Sequence, residues 1–276
     1  MSMDLTPKEL YVGSKPIVIN GLLPSQAQVN AAMDLLVARG TIKRGRGTDY
    51  IQVFERIVVV GDSTSCGYTE TGDRTVVSTE AKERKANWPT YMGLDIGREI
   101  TNLAVGGSTV RDWRNTHVNT AEGVTADCYI VLIGINDAVQ NLPIGTSADI
   151  AADYTTNADS FYGNLDFLVR KLLSFNPGAK LFICTNGHSF TNQAATNEVI
   201  RYIGNRTPGV FLIDLATLYA IEFSDGFMAA TQQGVHFSTL GYRRLATMIR
   251  DSINDYMERN PGAFVGVPYV ADPVTE

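Results

Sequence analysis

The stretch Arg56-Ile57-Val58-Val59-Val60-Gly61-Asp62-Ser63 decides how this chain is read. A short β-branched run with no polar alternation is what a strand buried on both faces of a parallel sheet requires, and Gly61 ends it. The Gly-Asp-Ser turn then leaves a hydroxyl and its own N–H at the strand's carboxyl end. Comparable apolar runs recur at Ile100-Leu103-Val105, Cys128–Ile133, Lys180–Cys184 and Val210–Ile213, so five buried strands are expected. Helical periodicity fills the intervals: Trp88 to Ile96, Asp159 to Phe175 with Leu165, Leu168, Val169 and Leu172 on one stripe, Thr191 to Ile203, and Leu240 to Met257. Strand and helix alternate, which predicts an α/β fold: a three-layer doubly wound parallel sheet of about five strands, flavodoxin-like, with its site beyond the carboxyl ends of the strands.

Length and composition set bounds on this reading. The 276 residues, 44% apolar and 19% charged, suit one α/β domain with appendages. We expect a main domain over 51–260, a C-terminal tail over 261–276, and an N-terminal arm over 1–50. In the arm, Ser25 to Arg39 forms a predicted helix capped by Ser25 and stopped at Gly40. A lone amphipathic helix cannot bury itself, so the arm is expected to dock on the main domain, on a second copy of the chain or on a larger assembly. The net charge of -6 gives no electrostatic reason to bind nucleic acid, and Lys43-Arg44-Gly45-Arg46 is brief and set among glycines. The three cysteines, Cys66, Cys128 and Cys184, form no CxxC pair, so neither a disulfide framework nor a metal site is expected. No basic segment followed by an apolar one opens the chain, and no apolar run of membrane length occurs, so a soluble protein without signal peptide or span is expected. The first strand is not followed by a GxxxxGK[ST] loop, so no nucleotide or other cofactor is expected.

Four segments carry chemistry. Cleavage of an ester at a serine needs an activated hydroxyl, a base, and donors for the oxyanion of the tetrahedral intermediate. Ser63 offers the hydroxyl, although a serine here can also serve only to cap the next helix. In Asn102-Leu103-Ala104-Val105-Gly106-Gly107-Ser108-Thr109, Gly107 can bring an unobstructed N–H to a ligand or simply form a turn. In Gly134-Ile135-Asn136-Asp137, the Asn136 amide can supply another donor or cap the next helix. The base comes from three histidines: His117 in a polar loop, His188 after the fourth strand, and His236 in Gly234-Val235-His236-Phe237-Ser238. Trp113, Arg111, Tyr68, Asn186 and His188 are expected to edge the cleft, with Trp113, Asn186 and His188 the expected substrate-binding residues.

These segments resemble the four blocks of the SGNH, or GDSL-type, hydrolase family. Gly61-Asp62-Ser63-Thr64-Ser65-Cys66-Gly67 is similar to the first block, Asn102 to Thr109 to the second, Gly134 to Asp137 to the third and Gly234 to Ser238 to the last. Trp88-Pro89-Thr90-Tyr91-Met92 resembles the helix between the first two, and the likeness covers 56 to about 257. The resemblance implies the SGNH hydrolase fold, a Ser63 nucleophile, a His236 base, and an oxyanion hole made of the Ser63 N–H, the Gly107 N–H and the Asn136 side chain. This chain departs from the family pattern in one place. The family usually carries Asp three residues before its histidine, where this chain has Gln233. Gln233 or a backbone carbonyl can orient His236 in a dyad; Asp225 can swing in as the acid; or catalysis has been lost. The leading expectation is a serine esterase removing small acyl groups, acetyl above all, from a carbohydrate or polyol. The alternative is a catalytically degenerate glycan-binding module tethered to a larger assembly such as a phage tail.

Overall fold

The computed structural model describes residues 10–12, 15–17, 49–67, 86–187, 190–222, 232–233 and 236–264. The expected helix at Ser25–Arg39, the inserted loop at Glu70–Lys85, Tyr68, His188 and Asp225 lie outside the described residues. Leu10–Val12 and Lys15–Ile17 form a short antiparallel pair. The chain divides into two compact units, one of residues 56–250 and one of 1–55 with 251–276. In the smaller unit, the Asn254 side chain accepts the Ile51 N–H at 2.9 Å and donates to Asp49 at 2.9 Å, and Phe264 packs edge-on against Phe54 and Tyr256.

The larger unit holds one five-stranded, all-parallel sheet. Its strands are β1 (Ile57–Gly61), β2 (Thr101–Asn102), β3 (Cys128–Leu132), β4 (Lys180–Cys184) and β5 (Val210–Ile213), in the order β2-β1-β3-β4-β5. This is the doubly wound arrangement the sequence predicts, and its winding reverses between β1 and β3. Every residue of β1 and β3 is buried, which explains why the runs that form them are continuously apolar. The second strand is shorter than the expected 100–105. Beyond Asn102 it continues as single bonds along the edge of β1, with the Leu103 N–H on Val59 O and the Val105 N–H on Gly61 O, before bending into the glycine turn.

The α-helices among the described residues are α1 (Ser63–Cys66), α2 (Trp88–Ile96), α3 (Val110–Asp112), α4 (Ile135–Val139), α5 (Phe161–Phe175), α6 (Gln193–Arg206), α7 (Leu215–Glu222) and α8 (Thr239–Arg259). Val58, Val60, Tyr129, Val131, Leu181 and Ile183 project from one face of the sheet into a core completed by Trp113, by Leu165, Leu168, Val169 and Leu172 of α5, and by Val199, Ile200 and Ile203 of α6. That apolar stripe of α5 is the one its 3.6-residue periodicity marks. On the other strand positions, Ile57, Val59, Ile130 and Phe182 are equally buried. Two helices run side by side through contacts of Arg243 over the Tyr91 ring and of Arg250 with Asp95, tying α2 to the first half of α8. Among the described residues, no helix is long and apolar enough to cross a membrane.

Local signals set the helix ends. Ser160 caps α5 by accepting the Gly163 N–H, Asn87 caps α2 by accepting the Thr90 N–H, and Gly97, at φ +72°, ends α2 in the left-handed region. Gly163 is a helical glycine for a packing reason. A Cβ there would collide with the Ala158 carbonyl, which belongs to the backbone and cannot rotate away. Gly-to-Ala changes inside helices ordinarily stabilise by about 0.5–1 kcal/mol. Gly163→Ala is expected to do the reverse, lowering unfolding free energy by about 2 kcal/mol or more in urea titrations.

Candidate active site

Of the sequence-predicted residues, Ser63, Gly107 and Asn136 lie just beyond the carboxyl ends of β1, β2 and β3, flanking the point where the winding reverses. Ser63 is the first residue of α1, directly after β1. Capping falls to its neighbour: the Asp62 side chain accepts the Thr64 N–H at 2.8 Å, while the Ser65 and Cys66 N–H groups donate to Asp62 O. Neither the N–H nor the hydroxyl of Ser63 has a hydrogen-bond partner among the described residues, and the residue is 7% exposed. The bland reading of Ser63 as a helix cap therefore does not hold, because Asp62 does that work.

The turn after β2 offers the next donor. Of the N–H groups from Val105 to Val110, four are engaged: Val105 on Gly61 O, Ser108 on Val105 O, Thr109 on Asp112 and Val110 on Asp137. Those of Gly106 and Gly107 have no partner among the described residues. Gly107 is exposed and sits at φ +78°, a conformation L side chains rarely adopt, and a Cβ there would stand in open space. Asn136 lies in the first turn of α4, whose cap is Gly134 at φ +107°, so the amide is not used for capping. Instead its Nδ2 donates to Ser108 O at 2.9 Å, bracing the glycine turn. An amide nitrogen carries two protons, so one is left for a ligand.

His236 sits on β7 (His236–Phe237), which pairs antiparallel with β6 (Gln232–Gln233). The register sets Gln233 directly opposite His236. The helix α1 packs against β7, so the Ser63 and His236 elements are neighbours although 173 residues apart. His236 is half-buried, and that burial pulls its imidazole below the usual 6.5, favouring the neutral form. His117 instead stacks edge-on against the Trp113 ring at 5.7 Å.

Two expected cleft residues are corrected. Trp113 is fully buried, with Nε1 donating to Gly61 O at 2.9 Å and to Ser108 Oγ at 3.1 Å, so it ties β1 to the glycine turn and does not touch substrate. Asn186 is 2% exposed, and its Nδ2 donates to Ile133 O at 2.8 Å while its backbone pairs with Asn197. It fastens the exits of β3 and β4. Arg111, also placed at the cleft edge by the sequence reading, pairs with Asp159 at 2.8 Å.

The sequence reading missed the supports. Asn102 donates to Ser65 O and accepts the Ala104 N–H, and the Trp88 indole donates to Ser65 Oγ, so two more side chains locate α1. Two carboxyls lie under the site. Burial pushes Asp62, which is 0% exposed, up to about 6 against the bonds from Thr64. Asp137 is pushed up to about 7 by burial, with the charges of Asp62 and Asp112 adding to it. Their signal in the sequence is only an acid next to each motif residue, which by itself does not tell a buried acid from a solvated one. Among the described residues, no group of three or more His, Cys, Asp or Glu side chains could hold a metal ion. A cavity of about 430 Å³ lined by Tyr154, Arg170, Arg206 and Pro208 lies near the amino end of β5, away from these groups.

The Asp62 carboxyl has a thermodynamic consequence. With its folded value raised from 3.8 to about 6, the folded chain holds a proton that the unfolded chain releases, so wild-type stability falls as pH rises through that window. Asp62→Asn keeps the acceptor for Thr64 but has no proton to lose. Relative to wild type, its unfolding free energy is expected to improve by about 1–3 kcal/mol between pH 4 and pH 7 in urea titrations.

Comparisons with known proteins bear on the fold and the family. No curated protein matches the chain in sequence. The fold is shared with a lipase/acylhydrolase from Enterococcus faecalis, at a TM-score of 0.50 and 20% identity over 73% of this chain and 96% of that one. An acetyl xylan esterase from Geobacillus stearothermophilus superposes at 0.51 with 20% identity, over 72% of this chain and 94% of its own. An alpha/beta hydrolase from the metagenome of Lake Arreo, Spain, gives 0.53 at 16% identity, over 72% and 94%. Residues 59–244, well over half of the sequence, match the GDSL-like lipase/acylhydrolase family, and with Ser63, Gly107, Asn136 and His236 on the elements just described, the chain belongs to that family.

Proposed function

We propose that this chain is a serine esterase that removes small acyl groups, acetyl first among them, from a carbohydrate or polyol. The observation that carries the reading is the set of uncommitted donors around one uncommitted hydroxyl: the Ser63 and Gly107 N–H groups and an Asn136 amide proton, beside the element bearing His236. Ser63 Oγ attacks the ester carbonyl as His236 takes its proton. The oxyanion is held by the three donors, which are fixed before the substrate arrives and so need no reorganisation as charge develops. Collapse breaks the bond to the alcohol, which leaves with the proton from His236. Water then attacks the acyl-Ser63 ester by the same proton route and releases the acid.

The family supports ester hydrolysis, and the likeness in fold to an acetyl xylan esterase supports the acyl and alcohol classes. Gln233, opposite His236, is a neutral acceptor that can fix the imidazole tautomer but stabilises an imidazolium less than a carboxylate would. The same position favours a second reading, a glycan-binding module without turnover, in which the N-terminal arm joins a larger assembly.

Turnover of p-nitrophenyl acetate separates the two. Ser63→Ala is expected to lower kcat by about 10³-fold or more. Gln233→Asp is expected to raise kcat/KM by about 10-fold or more by restoring the missing charge. Glycan binding with no Ser63-dependent turnover would support the module instead. Because burial lowers the His236 value, the acid limb of kcat/KM against pH is expected below 6.5, with activity lost as the imidazole protonates.

A further inference from the structure

We propose that Asp137 is a positioning residue that holds the Gly107 turn at the distance from Asn136 that an oxyanion requires. The inference rests on the esterase reading of the same site, and it assigns a task to a residue that the chemistry does not touch.

The geometry is a two-point clamp. Neighbouring side chains on one short helix, Asn136 and Asp137, reach across to two points on the segment that directly follows the Gly106-Gly107 turn. Asn136 Nδ2 donates to Ser108 O at 2.9 Å, and the Asp137 carboxylate oxygens accept the Val110 N–H at 3.1 and 3.3 Å. Between Ser108 and Val110, Thr109 is closed by its own capping box with Asp112, the Thr109 N–H on Asp112 at 2.8 Å and the Asp112 N–H on Thr109 Oγ1 at 3.1 Å. The segment from Ser108 to Asp112 is therefore locked internally and fastened to α4 twice. The Gly106-Gly107 pair that precedes it keeps its N–H groups unengaged. A left-handed glycine has wide conformational freedom, so its N–H points one way only if the next few residues are held in place.

Asp137 is suited to that task by its cost. It is 2% exposed, and burying a carboxyl for structure alone is expensive when an apolar residue or an amide could fill the space. Its oxygens are spent on a backbone N–H at the first position of a helix, where no intrahelical acceptor exists. Removing the acceptor orphans that N–H and frees the turn, and a small misplacement of a donor is enough to cost about 10²-fold in rate.

The bond can be deleted from either end. Asp137→Ala removes the acceptor. Val110→Pro removes the donor at a first helical position, where proline is tolerated and where the extended Thr109 (φ -94°, ψ 170°) fits the residue before a proline. With p-nitrophenyl acetate, and with rates normalised to Ser63 titrated by a fluorophosphonate, each variant is expected to lower kcat by about 10²-fold with KM changed by less than about 3-fold. The double variant should fall no further than the worse single one. Asp137→Asn, which keeps an acceptor for Val110, should hold kcat within about 5-fold of wild type. Amide exchange gives a readout that does not depend on turnover. The Val110 N–H should exchange about 10-fold faster or more in Asp137→Ala and at the wild-type rate in Asp137→Asn. If Ser63→Ala fails to abolish activity, the esterase reading falls while the exchange test still judges the clamp. Wild-type kcat in either clamp-deleting variant, additive losses in the double variant, or unchanged Val110 exchange in Asp137→Ala would overturn the proposal.

Discussion

The carbonyl oxygen of Gly61 is the point on which the site depends. It ends β1, the strand that delivers Ser63, and it accepts from the Val105 N–H at 3.0 Å and from Trp113 Nε1 at 2.9 Å. One oxygen thus joins the strand that leads to Ser63, the glycine turn and the segment behind that turn. A carbonyl has two lone pairs for these two N–H groups, and the Ser108 hydroxyl makes a longer third approach at 3.4 Å. The steric setting is as strict as the electrostatic one, because a Cβ at Gly61 would come within 2.5 Å of Leu132 O on β3. The strand must be glycine there for β1 and β3 to keep their register as the chain turns toward Ser63.

From that point the donors are arranged by subtraction. Strand continuation, a capping box, an indole and two side chains of α4 engage the polar groups around the glycine turn and leave the Gly106 and Gly107 N–H groups without partners among the described residues. Helix α1 obeys the same logic, with Asp62 satisfying the orphan N–H of Thr64 and leaving that of Ser63 open. Oxyanion stabilisation by preorganised dipoles requires donors that are both fixed and unspent, and in the proposed site the fixing falls to buried side chains such as Asp62, Trp113 and Asp137. The expense is a pair of buried carboxyls, Asp62 and Asp137, whose values are driven up because the site excludes the water that would solvate their charge.

The family assignment and the local chemistry meet at an unusual third position. In the proposed reaction, a half-buried histidine whose neutral form is favoured, with a glutamine across the strand pair, leaves the imidazolium with less charge compensation than a carboxylate would give. Under the proposed mechanism the oxyanion donors would carry a larger share of transition-state stabilisation, which would place more weight on the supports of the Gly107 turn.

Some of this was legible in the residues alone. The two central strands, β1 and β3, were readable because a strand covered on both faces must be apolar at every position, and α5 because its stripe follows the helical period, whereas β2 is a two-residue edge strand, exposed at Thr101 and half-buried at Asn102. The four motif segments were readable as well, since a Gly-Asp-Ser turn or a Gly-Gly pair states a backbone requirement within a few residues. What the sequence could not state was direction. Trp113 and Asn186 look like cleft residues from their place after strands, yet both turn inward because acceptors far along the chain, Gly61 O and Ile133 O, are waiting for an N–H in a dry interior. Asp62 and Asp137 look like solvated acids until the sheet closes over them. Local pattern fixes which elements form, since it depends on neighbours in sequence. Which side chains face the substrate, and which hold the ones that do, is decided only when segments far apart along the chain compete for the same buried hydrogen bonds.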